Sequence, residues 1–162
     1  KSDLDIFLVF VNKELEYVEK CLNKIPKAIP QFHGDEDQNF CNKFDQDFVK
    51  AIRVNADTNF EDMNNNFGKA KMLLLDSYEE GLYGGSGKSF DWNLIGNKLK
   101  IPFLLAGGID TINVERALSS VSCKGIDVSS GVEHAPGIKD QAKVKDLIKK
   151  VRSFNVWRIF TR

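Results

Sequence analysis

An excess of charge of either sign is missing from this sequence. Lys and Arg number 23, Asp and Glu number 23, and the formal net charge is zero. Nucleic-acid-binding domains ordinarily carry a basic excess, so no nucleic-acid partner is expected. Long apolar runs are missing as well. The longest is Ile6 to Val11, far short of the roughly 18 residues that suggest a membrane span, so no membrane partner is expected either. No basic stretch followed by an apolar one opens the chain, which argues against a secretory leader and for the cytoplasm. The first residue is Lys1 rather than Met, as in a processed, trimmed or incomplete chain. Cysteine is scarce, with only Cys21, Cys41 and Cys123. The number is odd and no pair has C-x-x-C spacing, so neither a disulfide framework nor a zinc site is suggested. Cys21 and Cys41 fall at apolar positions of helical stretches and read as small buried hydrophobes in a reducing compartment.

What is present is a regular alternation. The 162 residues predict one domain, and a hydrophobic share of 42% is enough for a core. Six apolar runs recur, at Ile6–Val11, Ala28–Phe32, Val49–Val54, Lys71–Leu75, Ile101–Ala106 and Gly125–Val128. They are continuous rather than alternating, as parallel strands covered on both faces should be. Helical spacing lies between them: Leu15, Val18, Leu22 and Ile25; Val114, Ala117, Leu118 and Val121; Val144, Leu147, Ile148 and Val151. Asn59–Asn66 is polar and Asn-rich, a weak helix or a loop. Repeated βα units mean a parallel sheet. An open doubly wound sheet holds six strands, whereas a closed (β/α)8 barrel needs eight. Units averaging about 27 residues would bring eight to roughly 216, within the size range of that barrel. Periodicity alone does not choose between the two. Residues 1–152 form the repeating part, and the tail 153–162, with Trp157, Ile159 and Phe160, fits no βα unit.

Polar residues gather where the apolar runs end, the place where βα loops converge into sites. Gln31 and His33 flank Phe32 and point to one side. On its own His33 reads as a hydrogen-bonded structural histidine. Asp76 follows Leu73-Leu74-Leu75. A carboxyl ending a buried strand is costly unless it is hydrogen-bonded or functional, and it is a usable general acid; its bland alternative is a loop cap. A glycine-rich loop, Gly81 to Trp92, invites a phosphate-loop reading, but G-x-x-x-x-G-K-[ST] fails at Leu82 and G-x-G-x-x-G fails at Phe90. It reads instead as a flexible active-site loop. Ala106-Gly107-Gly108, with a helix starting near Ile112, and Asp127-Val128-Ser129-Ser130-Gly131 close the last two runs. Small residues there let backbone N–H groups approach an anion, the arrangement of the barrel phosphate site after strands seven and eight.

Together these segments resemble one family. Gln31-Phe32-His33-Gly34-Asp35-Glu36, Lys50-Ala51-Ile52-Arg53-Val54, Leu73-Leu74-Leu75-Asp76, Gly84 to Trp92, Leu105-Ala106-Gly107-Gly108 and Asp127 to Glu133 occur in the order and spacing of phosphoribosylanthranilate isomerases, from about Leu8 to Val151. The resemblance implies a (β/α)8 barrel with about six of eight units present, strands three to eight. The family's first strand carries a catalytic cysteine in Lys-Ile-Cys-Gly and a loop after its second carries a substrate-binding arginine. Neither motif occurs here, and none of the three cysteines matches. The implied reaction is the Amadori rearrangement of N-(5-phosphoribosyl)anthranilate to 1-(2-carboxyphenylamino)-1-deoxyribulose 5-phosphate in tryptophan biosynthesis. Asp76 matches the general acid. Gly107, Gly108, Ser129 and Ser130 match the phosphate loops. Gln31, His33 and Asp127 match residues around the sugar and anthranilate. No cofactor or metal is implied, and the partner is a small phosphorylated substrate. The expected assembly is a monomer or homodimer, or a fusion to another enzyme of the pathway. Two alternatives stay open: an inactive barrel fragment, and another phosphate-binding barrel enzyme such as an indole-glycerol-phosphate synthase. The latter would need a strand-end lysine, which is not seen.

Overall fold

The structure, a computed structural model, describes residues 4–77 and 89–154 and the backbone of 158–161. In chain order the elements are β1 (Phe7–Phe10), α1 (Leu15–Lys24), β2 (Ile29–Phe32), α2 (Gln38–Cys41), β3 (Val49–Val54), α3 (Phe60–Asn66) and β4 (Met72–Ser77). After a 3-10 turn at Trp92–Leu94 come β5 (Phe103–Leu105), α4 (Val114–Ser120) and β6 (Gly125–Val128). A hairpin of β7 (Glu133–Ala135) and β8 (Ile138–Lys139), then α5 (Gln141–Ser153) and β9 (Arg158–Thr161), complete the chain. All six apolar runs are strands. They lie side by side in sequence order, β1 to β6, and every pairing is parallel. A doubly wound sheet reverses direction at a switch point, and this one does not. The order is that of a barrel wall.

The tail is the main departure from expectation. Arg158–Thr161 is a seventh parallel strand, paired with β6 from Gly125↔Arg158 to Val128↔Thr161. The free edge of β6 presents unpaired backbone groups, and Ile159, Phe160 and Thr161 are residue types that suit a strand. The Asn-rich stretch is helical because Asn59 caps it. Its side-chain oxygen accepts from the N–H groups of Glu61 and Asp62. Asn64 then ties α3 to the β5 approach, donating to Lys98 O and accepting from Lys100 N, both at 2.8 Å. Helix α4 begins at Val114, just after Ile112, because Asp110 and Asn113 bond each other's backbone N–H across the turn. Ile112 itself is 89% exposed.

The strands divide their side chains between two layers. Phe32, Leu73, Leu75, Phe103, Leu105, Ile126 and Val128 pack with Val18, Leu22, Val114, Leu118, Leu147 and Val151 of the helices. Ile29, Val49, Ala51, Met72, Leu74, Leu104 and Ala106 form a second, smaller cluster on the other face. Strand alternation then puts Gln31 and His33 on the side of Ile29, Asp76 on the side of Met72 and Leu74, and Asp127 opposite Ile126 and Val128. Phe32 secures this choice on β2. It is fully buried among Phe10, Phe40, Phe44 and Phe48, and burying such a ring stabilises by about 1.5–3 kcal/mol. A one-residue slip would exchange Phe32 with Gln31 and His33 across the sheet.

Candidate active site

The C-terminal ends of β4, β5 and β6 enclose one pocket. Its lining includes Asp76, Gly107, Gly108, Asp127, Ser129 and Ser130, with Ala106, Ile109, Val128 and Gly131 between them. Asp76 is 4% exposed. Its Oδ1 accepts the Ser77 N–H at 2.8 Å, and its Oδ2 lies 3.4 Å from His33 Nε2. Gln31 Nε2 is 3.1 Å from His33 Nδ1. The Gln31 amide thus meets one ring nitrogen of His33 and the Asp76 carboxyl faces the other. Gln31 and His33 are buried and stand behind Asp76 rather than lining the pocket. Gly107 and Gly108 turn the chain after β5 with φ of +79° and +62°, the left-handed region that glycine enters without cost. Asn113 holds this turn by donating to Gly108 O at 2.7 Å.

Of the glycine-rich loop, residues 78–88 lie outside the described residues, and with them the phosphate-loop and flexible-loop readings. The part that follows is structural. Phe90 packs against the helix-side core and Trp92 is buried, with the Arg116 guanidinium 5.3 Å from its ring. Among the described residues no group of three or more His, Cys, Asp or Glu is placed to hold a metal ion. No helix there is long and apolar enough to cross a membrane.

One buried group escaped the reading of the strand ends. Lys50, 3% exposed, donates to Gly34 O at 2.6 Å and to Phe32 O and Glu36 Oε2 at 3.3 Å. Glu36 also accepts from the N–H groups of Gly34 (2.9 Å) and Asn12 (2.7 Å). Burial lowers the Lys50 pKa, and the Glu36 charge opposes that shift. The pair clamps the backbone on both sides of His33 and ties it to the end of β1. A lysine directly beside Val49, Ala51 and Ile52 in the strand run Val49–Val54 was the available signal.

None of the three cysteines lines the pocket. Cys41 is fully buried, and burial pushes its thiol up to about 12. Burial raises Cys123 as well. Cys21 is only half-buried. Thiolate is the reactive form, so brief alkylation of the native protein near neutral pH should leave Cys41 unmodified, whereas the unfolded chain should react at all three. Mass spectrometry of labelled peptides reads this directly, and rapid native labelling of Cys41 would contradict its burial.

Known proteins supply the remaining comparison. The model of the N-(5′-phosphoribosyl)anthranilate isomerase family matches residues 2–150. The chain belongs to that family. The isomerase of Neisseria meningitidis is 39% identical over 145 residues, covering 90% of this chain and 70% of the relative. That of Legionella pneumophila is 37% identical over 148 residues, covering 91% and 72%. Among solved structures, the isomerase of Thermus thermophilus superposes with a TM-score of 0.76 at 26% identity, over 93% of this chain and 73% of that one. An isomerase in complex with reduced 1-(o-carboxyphenylamino)-1-deoxyribulose 5-phosphate superposes at 0.72 with 31% identity, over 91% and 71%. The fold is thus the α/β fold of these isomerases, with the parallel wall β1 to β6 similar to their barrels. The family activity is that of an isomerase in tryptophan biosynthesis.

Proposed function

We propose that this chain carries the acid and the phosphate-binding part of an isomerase site acting on N-(5-phosphoribosyl)anthranilate, and that β1 to β6 correspond to barrel strands three to eight. One observation carries the reading. Two carboxyls, Asp76 and Asp127, share a pocket with two glycine- and serine-rich strand ends, Gly107-Gly108 and Ser129-Ser130.

The chemistry is the one that membership of the family implies. Asp76 gives a proton to the furanose ring oxygen as the bond from that oxygen to C1′ breaks, leaving a Schiff base to the anthranilate nitrogen. A base then takes the proton from C2′, and the electron pair moves onto the nitrogen to give an enolamine, which tautomerises to the ketone. The Schiff-base nitrogen is the electron sink, so the reaction as read needs no cofactor. His33, oriented by Gln31, holds Asp76 in place, and Asp127 faces the sugar. The phosphate rests against the N–H groups and hydroxyls after β5 and β6, where Gly107 and Gly108 carry no side chain of their own. The C2′ base is none of Cys21, Cys41 and Cys123. In the family it is the strand-one cysteine.

The test is consumption of N-(5-phosphoribosyl)anthranilate, followed by its fluorescence, with a βαβα segment that bears Lys-Ile-Cys-Gly and the second-strand arginine joined to this chain. Ser130→Asp in that protein should raise KM by about tenfold or more, because like charges a few ångströms apart cost about 1–4 kcal/mol near a protein surface. No turnover in the joined protein, or an unchanged KM in Ser130→Asp, would count against the assignment.

A further inference from the structure

The hairpin after the Ser129–Gly131 loop folds back onto that loop. Lys139, on β8, does not line the pocket. Its ammonium donates to Ser129 O at 3.0 Å, to Ser129 Oγ at 3.3 Å and to Glu133 Oε1 at 2.7 Å. Two consequences follow from elementary geometry. An ammonium has no lone pair to offer, so Ser129 Oγ is the acceptor, and the hydroxyl's own proton must point away from Lys139. The Ser129 carbonyl and the Ser130 N–H belong to one trans peptide and point in opposite directions, so drawing the carbonyl towards Lys139 turns the N–H away from it. Ser129 and Ser130 both line the pocket. Lys139 thus leaves the loop's donors facing away from itself.

The rest of the hairpin holds the lysine in this role. Glu133 accepts from Gly137 N at 3.1 Å as well as from Lys139. These hydrogen bonds, Lys139's first, keep its carboxyl below the usual glutamate range, hence ionised at neutral pH. Lys143, at the start of α5, donates to Glu133 O at 2.7 Å, and the Asp140 N–H donates to Val132 O at 2.7 Å.

We propose that Lys139 is a positioning residue for phosphate recognition, fixing the Ser129 hydroxyl and the Ser129–Ser130 peptide as preorganised donors to the substrate's phosphate dianion. This rests on reading the Ser129–Ser130 loop as the phosphate site. The experiment compares binding of the reduced product analogue with that of its dephosphorylated form, by calorimetry on the full chain. Lys139→Met should weaken the phosphorylated ligand by about tenfold, the typical weight of a charged hydrogen bond, and leave the dephosphorylated one unchanged. In a Ser129→Ala background the same substitution should add less than about twofold, since residues sharing one network are not additive. Lys139→Arg, which keeps the donors, should restore most of the preference. Equal weakening of both ligands would reduce Lys139 to a structural prop, and full additivity with Ser129→Ala would sever it from the hydroxyl; either overturns the proposal. If Lys139→Met does not fold, Lys139→Gln is read in its place by the same criteria. Ser130→Asp separates the two levels. If it too leaves the preference for the phosphorylated ligand intact, the phosphate site itself is misplaced; if it abolishes the preference while Lys139→Met does not, only the role of Lys139 fails.

Discussion

Asp76→Asn, in a protein that also carries the strand-one cysteine, should cut turnover by about 10²- to 10⁴-fold, the usual contribution of a positioned general acid, while the reduced product analogue still binds. The substitution keeps the shape of a side chain that is 4% exposed. The amide oxygen can go on accepting from Ser77 N, 2.8 Å away in the parent. Its nitrogen then faces His33 Nε2, which the carboxylate oxygen faces at 3.4 Å. Two donors cannot face each other, so Nε2 must accept and Nδ1 donate, and the Gln31 amide, 3.1 Å from Nδ1, must present its oxygen. All of this is available without unfolding, so the loss should fall on kcat rather than on folding. Stopped-flow fluorescence for turnover and calorimetry for binding separate the two. A variant within threefold of the parent's turnover, about the smallest effect worth assigning on this scale, would remove Asp76 from the acid role.

Gly107→Ala should be nearly as damaging, by a different route. The residue has φ of +79°, and a Cβ placed there would stand 2.5 Å from Ser77 N, 2.8 Å from Ser77 Oγ and 2.9 Å from Asp76 Oδ1. A left-handed alanine costs about 1–2 kcal/mol by itself. The contact with the Ser77 backbone cannot be relieved by a rotamer change. The ends of β4 and β5 must part, which moves the acid. Gly137 is the natural control. Its φ is +77°, and nothing lies within 4 Å of the added Cβ. Gly137→Ala should therefore lower Tm by only about 2–8 °C, at roughly 2–4 °C per kcal/mol for a chain of this size. Gly107→Ala should lose more stability than that and at least about a hundredfold in turnover, in keeping with the sensitivity of catalysis to a 1 Å misplacement. Equal behaviour of the two variants would show that the approach of Gly107 to Asp76 does not matter.

Much of this molecule was legible before any coordinates. Each of the six strands overlaps an apolar run, because a strand covered on both faces has no polar alternation to hide it. Val18 and Leu22, Val114 and Leu118, and Leu147 and Val151 announced the buried faces of their helices through 3.6-residue spacing. The pairing of Asp127 with Ser129 on one side of β6, and of Gln31 with His33 on one side of β2, followed from strand alternation alone. These are local properties, written in consecutive residues.

What the sequence left open depends on partners far along the chain. Whether six strands lie in sequence order or reverse at a switch point is a question of which edge meets which, and periodicity carries no information about it. The strand at Arg158–Thr161 exists because the edge of β6 was free to receive it. Its four residues hold no periodic signal of their own. Lys50 and Glu36 are tolerable only together, since burying either charge alone would be far costlier than burying the pair. Their meeting requires β2 and β3 to be neighbours with Phe32 opposite Lys50. His33 stands behind Asp76, and Lys139 reaches back to Ser129, for the same reason. Residue type and spacing determined which side of a strand each polar group takes, whereas only the packing of one strand against the next decided which polar groups meet.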